Sequence, residues 1–363
     1  MQYKLDEKGN EPVYLQLYKH LRRDIVSGAY SFGARLPSKR VLAADLGISL
    51  VTVEHALQIL ADEGYVGTRE RSGCFVTYRA GDGFAAAPLA LPKRQRVKPL
   101  SKEETAIPFS TLARTMRRVI SEYEADILAR SPNNGCSALR RAVAAYLGRS
   151  RGIAVSPHQV VIGSGAEYLY GLVVQMLGRE CVFAVEDPCY EQIRAVYRAN
   201  GARFEPLAMG EDGITDAALA RSCANVLHVT PYHSFPSGVT ASASKRRSYI
   251  AFAAARDGFL IEDDFDSEFT VSAKMEDTLF SLDTAGRVIY MNSFTRTVGA
   301  SLRVAYMVLP AALLPLFEAR VGFYSCTVPT FEQYVLAELL DSGDFERHIN
   351  RQRRRMRREM GKI

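Results

Sequence analysis

The 363-residue chain has no charge-free apolar run of the roughly 18 residues that a membrane helix needs. Its opening, M-Q-Y-K-L-D-E-K-G-N, is polar and holds no apolar signal core. Neither a membrane span nor a secretory leader is expected. No C-x-x-C pair occurs among the six cysteines (Cys74, Cys136, Cys181, Cys189, Cys223 and Cys326), and the chain is too long to need disulfide staples. Free thiols in a reducing cytoplasm are the expectation.

Most of the chain also lacks a net charge. Residues 346–363 hold eight of the 46 basic and two of the 40 acidic residues, leaving 38 of each elsewhere. The formal +6 therefore belongs to one terminal segment and is no argument for nucleic acid. What remains is an ordinary globular composition, 47% hydrophobic and 24% charged, long enough for two or more domains.

The first 78 residues read as three helices and a hairpin. Val13, Leu15, Leu17, Leu21, Ile25 and Val26 are spaced for one helix that stops at Gly28. Two more follow, with Ser38 capping the first, Gly47 permitting the turn and Ser49 capping the second. Y-V-G-T-R-E-R-S-G-C-F-V-T then gives two short strands around a basic tip. This is a winged helix-turn-helix, whose second helix enters the major groove. Ser49, Thr52 and His55 are placed for base edges, Lys39 and Arg40 for phosphates, and Arg69 and Arg71 for the wing. A helical hairpin used only for protein contacts is the alternative.

Residues 79–106 have no sustained apolar period and read as a linker. Their K-R-Q-R-V-K run is read as solvated charge rather than a phosphate contact. From 107 to 345, short apolar runs alternate with helical stretches: Q-V-V-I-G-S-G, C-V-F-A-V-E-D-P-C-Y, V-L-H-V-T-P, F-L-I-E-D-D-F-D and V-I-Y-M-N-S-F. That pattern predicts an α/β domain with a buried, mostly parallel sheet. Ligands of such sheets sit beyond the carboxyl ends of the strands, where these polar motifs fall.

Three pieces of chemistry gather at those ends. Ser164, Gly165 and Ala166 open a helix and offer N–H groups to an anion. Ser293, Thr295 and Arg303 complete a phosphate cup, each charge-assisted bond contributing about 1.5–3 kcal/mol. Tyr190 is an aromatic plate for a planar ring, and Asp263 a carboxylate for a protonated ring nitrogen.

The large part resembles the fold-type I pyridoxal 5′-phosphate aminotransferases. The first 78 residues resemble the GntR-type regulators, whose pattern is nearly reproduced in L-P-S-K-R-V-L-A-A-D-L-G-I-S-L-V-T-V, Leu36–Val53. Joined, they resemble the MocR/GabR regulators along almost the whole chain. G-C-S-A-L-R-R-A-V-A-A-Y-L, V-E-D-P-C-Y, V-T-P-Y-H-S-F-P-S-G-V-T, I-E-D-D-F-D-S-E-F and S-F-T-R-T-V-G-A-S-L-R come in family order. The resemblance implies Tyr190 on the pyridine ring, Asp263 at its nitrogen and His233 near its hydroxyl side. It places Ser164 to Ala166, Ser293 and Arg303 at the phosphate. It further implies a homodimer, a double-stranded DNA operator, a cytoplasmic location and a small-molecule effector.

Four departures stand against that pattern. Arg296 occupies the place of the lysine that forms the Schiff base, and a guanidinium cannot act as that nucleophile. Phe265 replaces a tyrosine whose hydroxyl supports the ring oxygen. Leu50 replaces an arginine at the start of the recognition helix. The sequence ends at Ile363, in a basic helix expected to begin near Arg347 with its arginines exposed, where the family continues into a small domain bearing a carboxylate-gripping arginine. The expectation is a DNA-binding regulator with an aminotransferase-like sensor domain that takes pyridoxal phosphate at most noncovalently and has no catalytic residue. A working aminotransferase with an accessory head and a decayed or shortened regulator are the alternatives.

Overall fold

Capping decides where the first helices begin. After α1 (Val13–Val26), the Ser38 hydroxyl accepts the Val41 N–H at 3.3 Å and opens α2 (Lys39–Leu46). Gly47 closes α2 in the left-handed region, φ 68°, where a side chain would be strained. Ser49 accepts the Thr52 N–H at 3.1 Å and opens α3 (Leu50–Asp62). Strands β1 (Val66–Arg69) and β2 (Gly73–Val76) pair antiparallel with Val66 opposite Val76. Arg35 adds a bridge to Phe75 that sequence periodicity did not reveal. Leu17, Leu21, Ile25, Leu42, Val53, Leu57 and Leu60 form the core beneath this wing.

The computed structural model describes residues 3, 5–6, 11–69, 73–79, 106–269 and 277–360, divided into two units, 1–98 and 99–363. The K-R-Q-R-V-K run, nearly all of the linker, and Arg71 lie outside the described residues. Arg69 is placed by its backbone as the last residue of β1.

The second unit is built on eight strands: β3 (Val160–Gly163), β4 (Val182–Asp187), β5 (Arg203–Gly210), β6 (Gly213–Ile214), β7 (Val226–Val229), β8 (Phe259–Asp263), β9 (Val288–Ser293) and β10 (Ala305–Val308). Their order across the sheet is β3-β10-β9-β8-β7-β4-β5-β6. The pairs from β9 to β5 are parallel, while β10 runs antiparallel to both β3 and β9. Two reversals restore direction, so β3 runs the same way as β9. The carboxyl ends of β3, β9, β8, β7 and β4 therefore share one edge. Ala305 opens β10 opposite both Gly163 and Ser293, which brings Arg303 to that edge from the amino end of its strand.

The helices are α4 (Phe109–Tyr123), α5 (Ser137–Arg151), α6 (Ala166–Leu177), α7 (Glu191–Ala199), α8 (Asp216–Arg221), α9 (Ala243–Ala255), α10 (Leu279–Leu282), α11 (Leu314–Arg320), α12 (Thr330–Asp341) and α13 (Asp344–Met360). Both faces of the sheet are covered. Val161, Ile289, Met291 and Met307 pack with α6, α7 and α11, whereas Val160, Tyr290, Tyr306 and Val308 pack with α5 and α12. The terminal basic helix keeps Arg347, Arg351, Arg354, Arg355, Arg357 and Arg358 exposed, and its opposite side adds a contact that was not expected. Phe345, His348 and Ile349 are buried, and Arg353 Nε donates to the Glu268 carbonyl at 2.6 Å, so one face of α13 belongs to the core. Among the described residues, no helix is long and apolar enough to cross a membrane.

Candidate functional site

The shared strand edge holds a cavity of about 210 Å³. Among its lining residues are Ala166, Tyr190, Asp263, Phe265, Ser293, Thr295, Arg296 and Arg303, which lie far apart in the sequence and meet because their strands end together. Glu167, Tyr170, Ile193, Thr230 and Phe235 complete the wall and were not foreseen.

At one end, Arg303 donates to Glu167 Oε2 at 2.8 Å. A Cβ on Gly165 would stand 2.8 Å from Arg303 Nη2, so glycine is what lets the guanidinium reach the start of α6. The first N–H groups of α6, from Ala166 onward, have no acceptor within the helix and add a partial positive charge. The preceding two N–H groups are already engaged. Ser164 donates to Thr327 Oγ1 at 3.2 Å, and Gly165 donates to the Gly163 carbonyl. Ser164 and Gly165 therefore shape the turn without lining the cavity, and the anion-facing amides are those of the next residues.

In this arrangement Glu167 stands where an incoming phosphate would compete for Arg303. Replacing it with glutamine removes one negative charge at contact range, about 1 kcal/mol where bulk water screens the pair. Glu167→Gln is expected to tighten binding of pyridoxal 5′-phosphate about fivefold and leave unphosphorylated pyridoxal unchanged, as measured by equilibrium titration. Equal effects on both would mean that Glu167 does not face the phosphate.

Deeper in, Asp263 is buried at the end of β8 and accepts a short hydrogen bond from Tyr170. His228 Nε2 lies 3.7 Å behind it, and His228 Nδ1 is 2.6 Å from the Tyr197 hydroxyl. Burial, reinforced by the Asp263 charge, raises the Tyr170 phenol far above its usual range and keeps it a donor. Tyr170, Tyr197 and His228 thus form a fixed backing for one carboxylate. Periodicity marks all three as ordinary core, which is why they were missed.

Tyr190 immediately precedes the first residue of α7 at the mouth, 41% exposed, with its ring edge-on to Phe235 at 6.3 Å. The loop carrying Phe235 is tied down by Glu186, which accepts from the Ser234 hydroxyl at 2.6 Å. Burial pushes the Glu186 carboxyl up to about 8. Arg296 forms a short ion pair with Asp266, and its guanidinium lies 5.6 Å from the Phe269 ring centre and 6.0 Å from that of Phe265. His233 was expected beside a ring hydroxyl. It is exposed, 4.0 Å from Asp266, and does not line the cavity.

In the other unit, the expected base-reading groups are largely engaged within the head itself. Ser49 Oγ lies 2.8 Å from Thr52 Oγ1, and His55 stacks on Tyr14 with ring centres 4.0 Å apart. Lys39 reaches Glu54 at 3.0 Å, whereas Arg40 is exposed at the start of α2.

Residues 13–76 match the gntR family of bacterial regulatory proteins, and residues 104–362 match aminotransferase class I and II. The HTH-type transcriptional regulator YdeL of Bacillus subtilis (strain 168) is 33% identical over 96% of this chain and 77% of its own length. The probable rhizopine catabolism regulatory protein MocR of Rhizobium meliloti is 30% identical over 96% of this chain and 76% of its own. Among solved structures, an archaeal alanine:glyoxylate aminotransferase superposes with a TM-score of 0.62 at 24% identity, over 67% of this chain and 62% of that one. LysN, the α-aminoadipate aminotransferase of Thermus thermophilus, does so with 0.61 at 27% identity, over 70% and 66%. The chain spans less than two-thirds of either enzyme. It belongs to the MocR-type transcriptional regulators, which join a GntR helix-turn-helix to an aminotransferase class I and II domain.

Proposed function

We propose that this chain is a DNA-binding transcriptional regulator whose second unit senses a ligand through an aminotransferase cavity that has lost covalent chemistry. The observation that carries the reading is Arg296, at the cavity wall and paired with Asp266. A guanidinium stays protonated at any physiological pH and does not attack an aldehyde. Pyridoxal 5′-phosphate is the cofactor that the fold family implies. When bound to an amine, it withdraws electrons from the amino acid's α-carbon.

The residues present fit that group held noncovalently. Arg303, Ser293, Thr295 and the first turn of α6 after Ser164 and Gly165 would hold the phosphate. Asp263 would face the ring nitrogen, backed by Tyr170 and His228, and Tyr190 would cover the ring. Phe265 offers no hydroxyl to the ring oxygen, and His233 stays at the rim beside Asp266. The functional regions are the head (1–78), the linker (79–106), the sensor (107–345) and the helix that follows. A homodimer reading two half-sites of a cytoplasmic operator is the corresponding partner state.

The test is enrichment of a randomised DNA duplex library by the full chain, with and without pyridoxal phosphate. A consensus whose occupancy shifts with the ligand supports the reading. No enrichment would leave a decayed regulator, and transamination of any amino acid by the pure protein would overturn the loss of chemistry.

A further inference from the structure

The start of α3 presents apolar side chains to water where a recognition helix normally presents donors. Val51 is 72% exposed and Leu50 is 43% exposed, and neither joins the core of the head. The polar groups around them make contacts within the head, Ser49 with Thr52, His55 with Tyr14 and Lys39 with Glu54, while Ser49, His55 and Lys39 stay exposed. The cap also fixes the backbone of this turn, so Leu50 and Val51 cannot retract without losing the bond from Thr52 N–H to Ser49 Oγ. Two adjacent exposed aliphatic residues at a helix start contribute nothing visible to folding.

The N-terminal residues of a recognition helix meet base edges in the major groove. Guanine there asks for a donor fork to O6 and N7, which neither leucine nor valine has. Thymine is the base that offers an apolar group, its C5 methyl. We infer that Leu50 and Val51 read thymine methyl groups, so that the head selects A·T pairs under the first turn of α3. The occupant is thus duplex DNA of a stated kind, with Arg40, exposed at the start of α2, available for a phosphate. This inference rests on the DNA-binding reading of the head and adds its base preference.

The experiment uses the full chain and the duplex it enriches from a random library. Each thymine of the half-site is replaced singly by deoxyuridine, which removes only the methyl. Affinity should fall about fourfold at one or two positions, the value for one buried methyl group. Val51→Ala should abolish most of that discrimination at one position, and Leu50→Arg should move the selected base there to guanine. Both sites are exposed, so neither change threatens the fold. Equal binding of thymine and deoxyuridine duplexes overturns the inference while leaving DNA binding intact. So does a pair of variants that leave base preference unchanged and alter only the oligomeric state, which would make the apolar turn a protein contact. Absence of any enriched duplex overturns the DNA-binding reading and this inference with it.

Discussion

Arg296→Lys is expected to let borohydride fix one pyridoxyl phosphate per chain, where the parent protein fixes none at that position. The lysine would stand in the cavity wall beside Asp266, in place of a guanidinium that packs near Phe265 and Phe269. Its amine exchanges a proton within reach of neutral pH, and the guanidinium does not. The difference is close to all or none, because nucleophilicity and not affinity is what changes. Peptide mapping after reduction locates the adduct and separates it from surface lysines. A companion Phe265→Tyr change restores a hydroxyl to the wall and should tighten the complex by about 1 kcal/mol without creating an adduct by itself. Labelling at position 296 in the variant alone would establish an intact cavity blocked by one residue. Labelling in neither would mean that the cavity does not orient the aldehyde toward residue 296. A stoichiometric adduct in the parent at any single lysine would overturn the noncovalent reading.

What could be read before the fold was known was mostly local or chemically conspicuous. Ser38, Gly47 and Ser49 announce the helix-turn-helix because a cap and a left-handed turn depend on the nearest residues. The strands β3, β4, β7, β8 and β9 announce themselves as continuous apolar runs. Strand β10 was not singled out, and its place between β3 and β9 depends on antiparallel pairing with both. The cavity's charged residues were visible as motifs, while the backing of Asp263 by Tyr170 and His228 was hidden in segments that look like plain core. One class of assignment that sequence leaves open is dual use. Ser49 fits both a cap and a base reader: its exposed Oγ accepts the Thr52 N–H as the cap of α3. His55 and Lys39, read as ligands for DNA, are exposed and also contact Tyr14 and Glu54.

Arg151→Met is expected to destabilise the second unit by about 3–5 kcal/mol at pH 8 and by clearly less at pH 5.5. Arg151 ends α5 almost fully buried, and its Nε donates to Asp264 at 3.1 Å while Nη2 makes a shorter bond to the same oxygen. The Tyr290 hydroxyl donates to Asp264 at 2.6 Å. Burial opposes the charge of Arg151, and Asp264 more than offsets this, so the guanidinium is raised above its usual range. Two further buried carboxyls surround the pair. Burial, then the Asp264 charge, pushes Glu262 up to about 8 and Glu268 up to about 7. Both folded values exceed the unfolded value near 4.5, so their contribution to stability is fully present below that pH. It is lost as pH rises through 7 and 8. At pH 8 the methionine variant would leave Asp264 without its cation and would oppose ionisation of Glu262 and Glu268, whereas at pH 5.5 the two glutamates are neutral with or without Arg151. Urea unfolding of the full chain at both pH values measures the difference. Adding Asp264→Asn should recover most of the loss at pH 8, because it removes the stranded charge. A deficit that is equal at both pH values, or unrelieved by the second change, would show that Arg151 acts through packing and not as the counter-ion of this cluster.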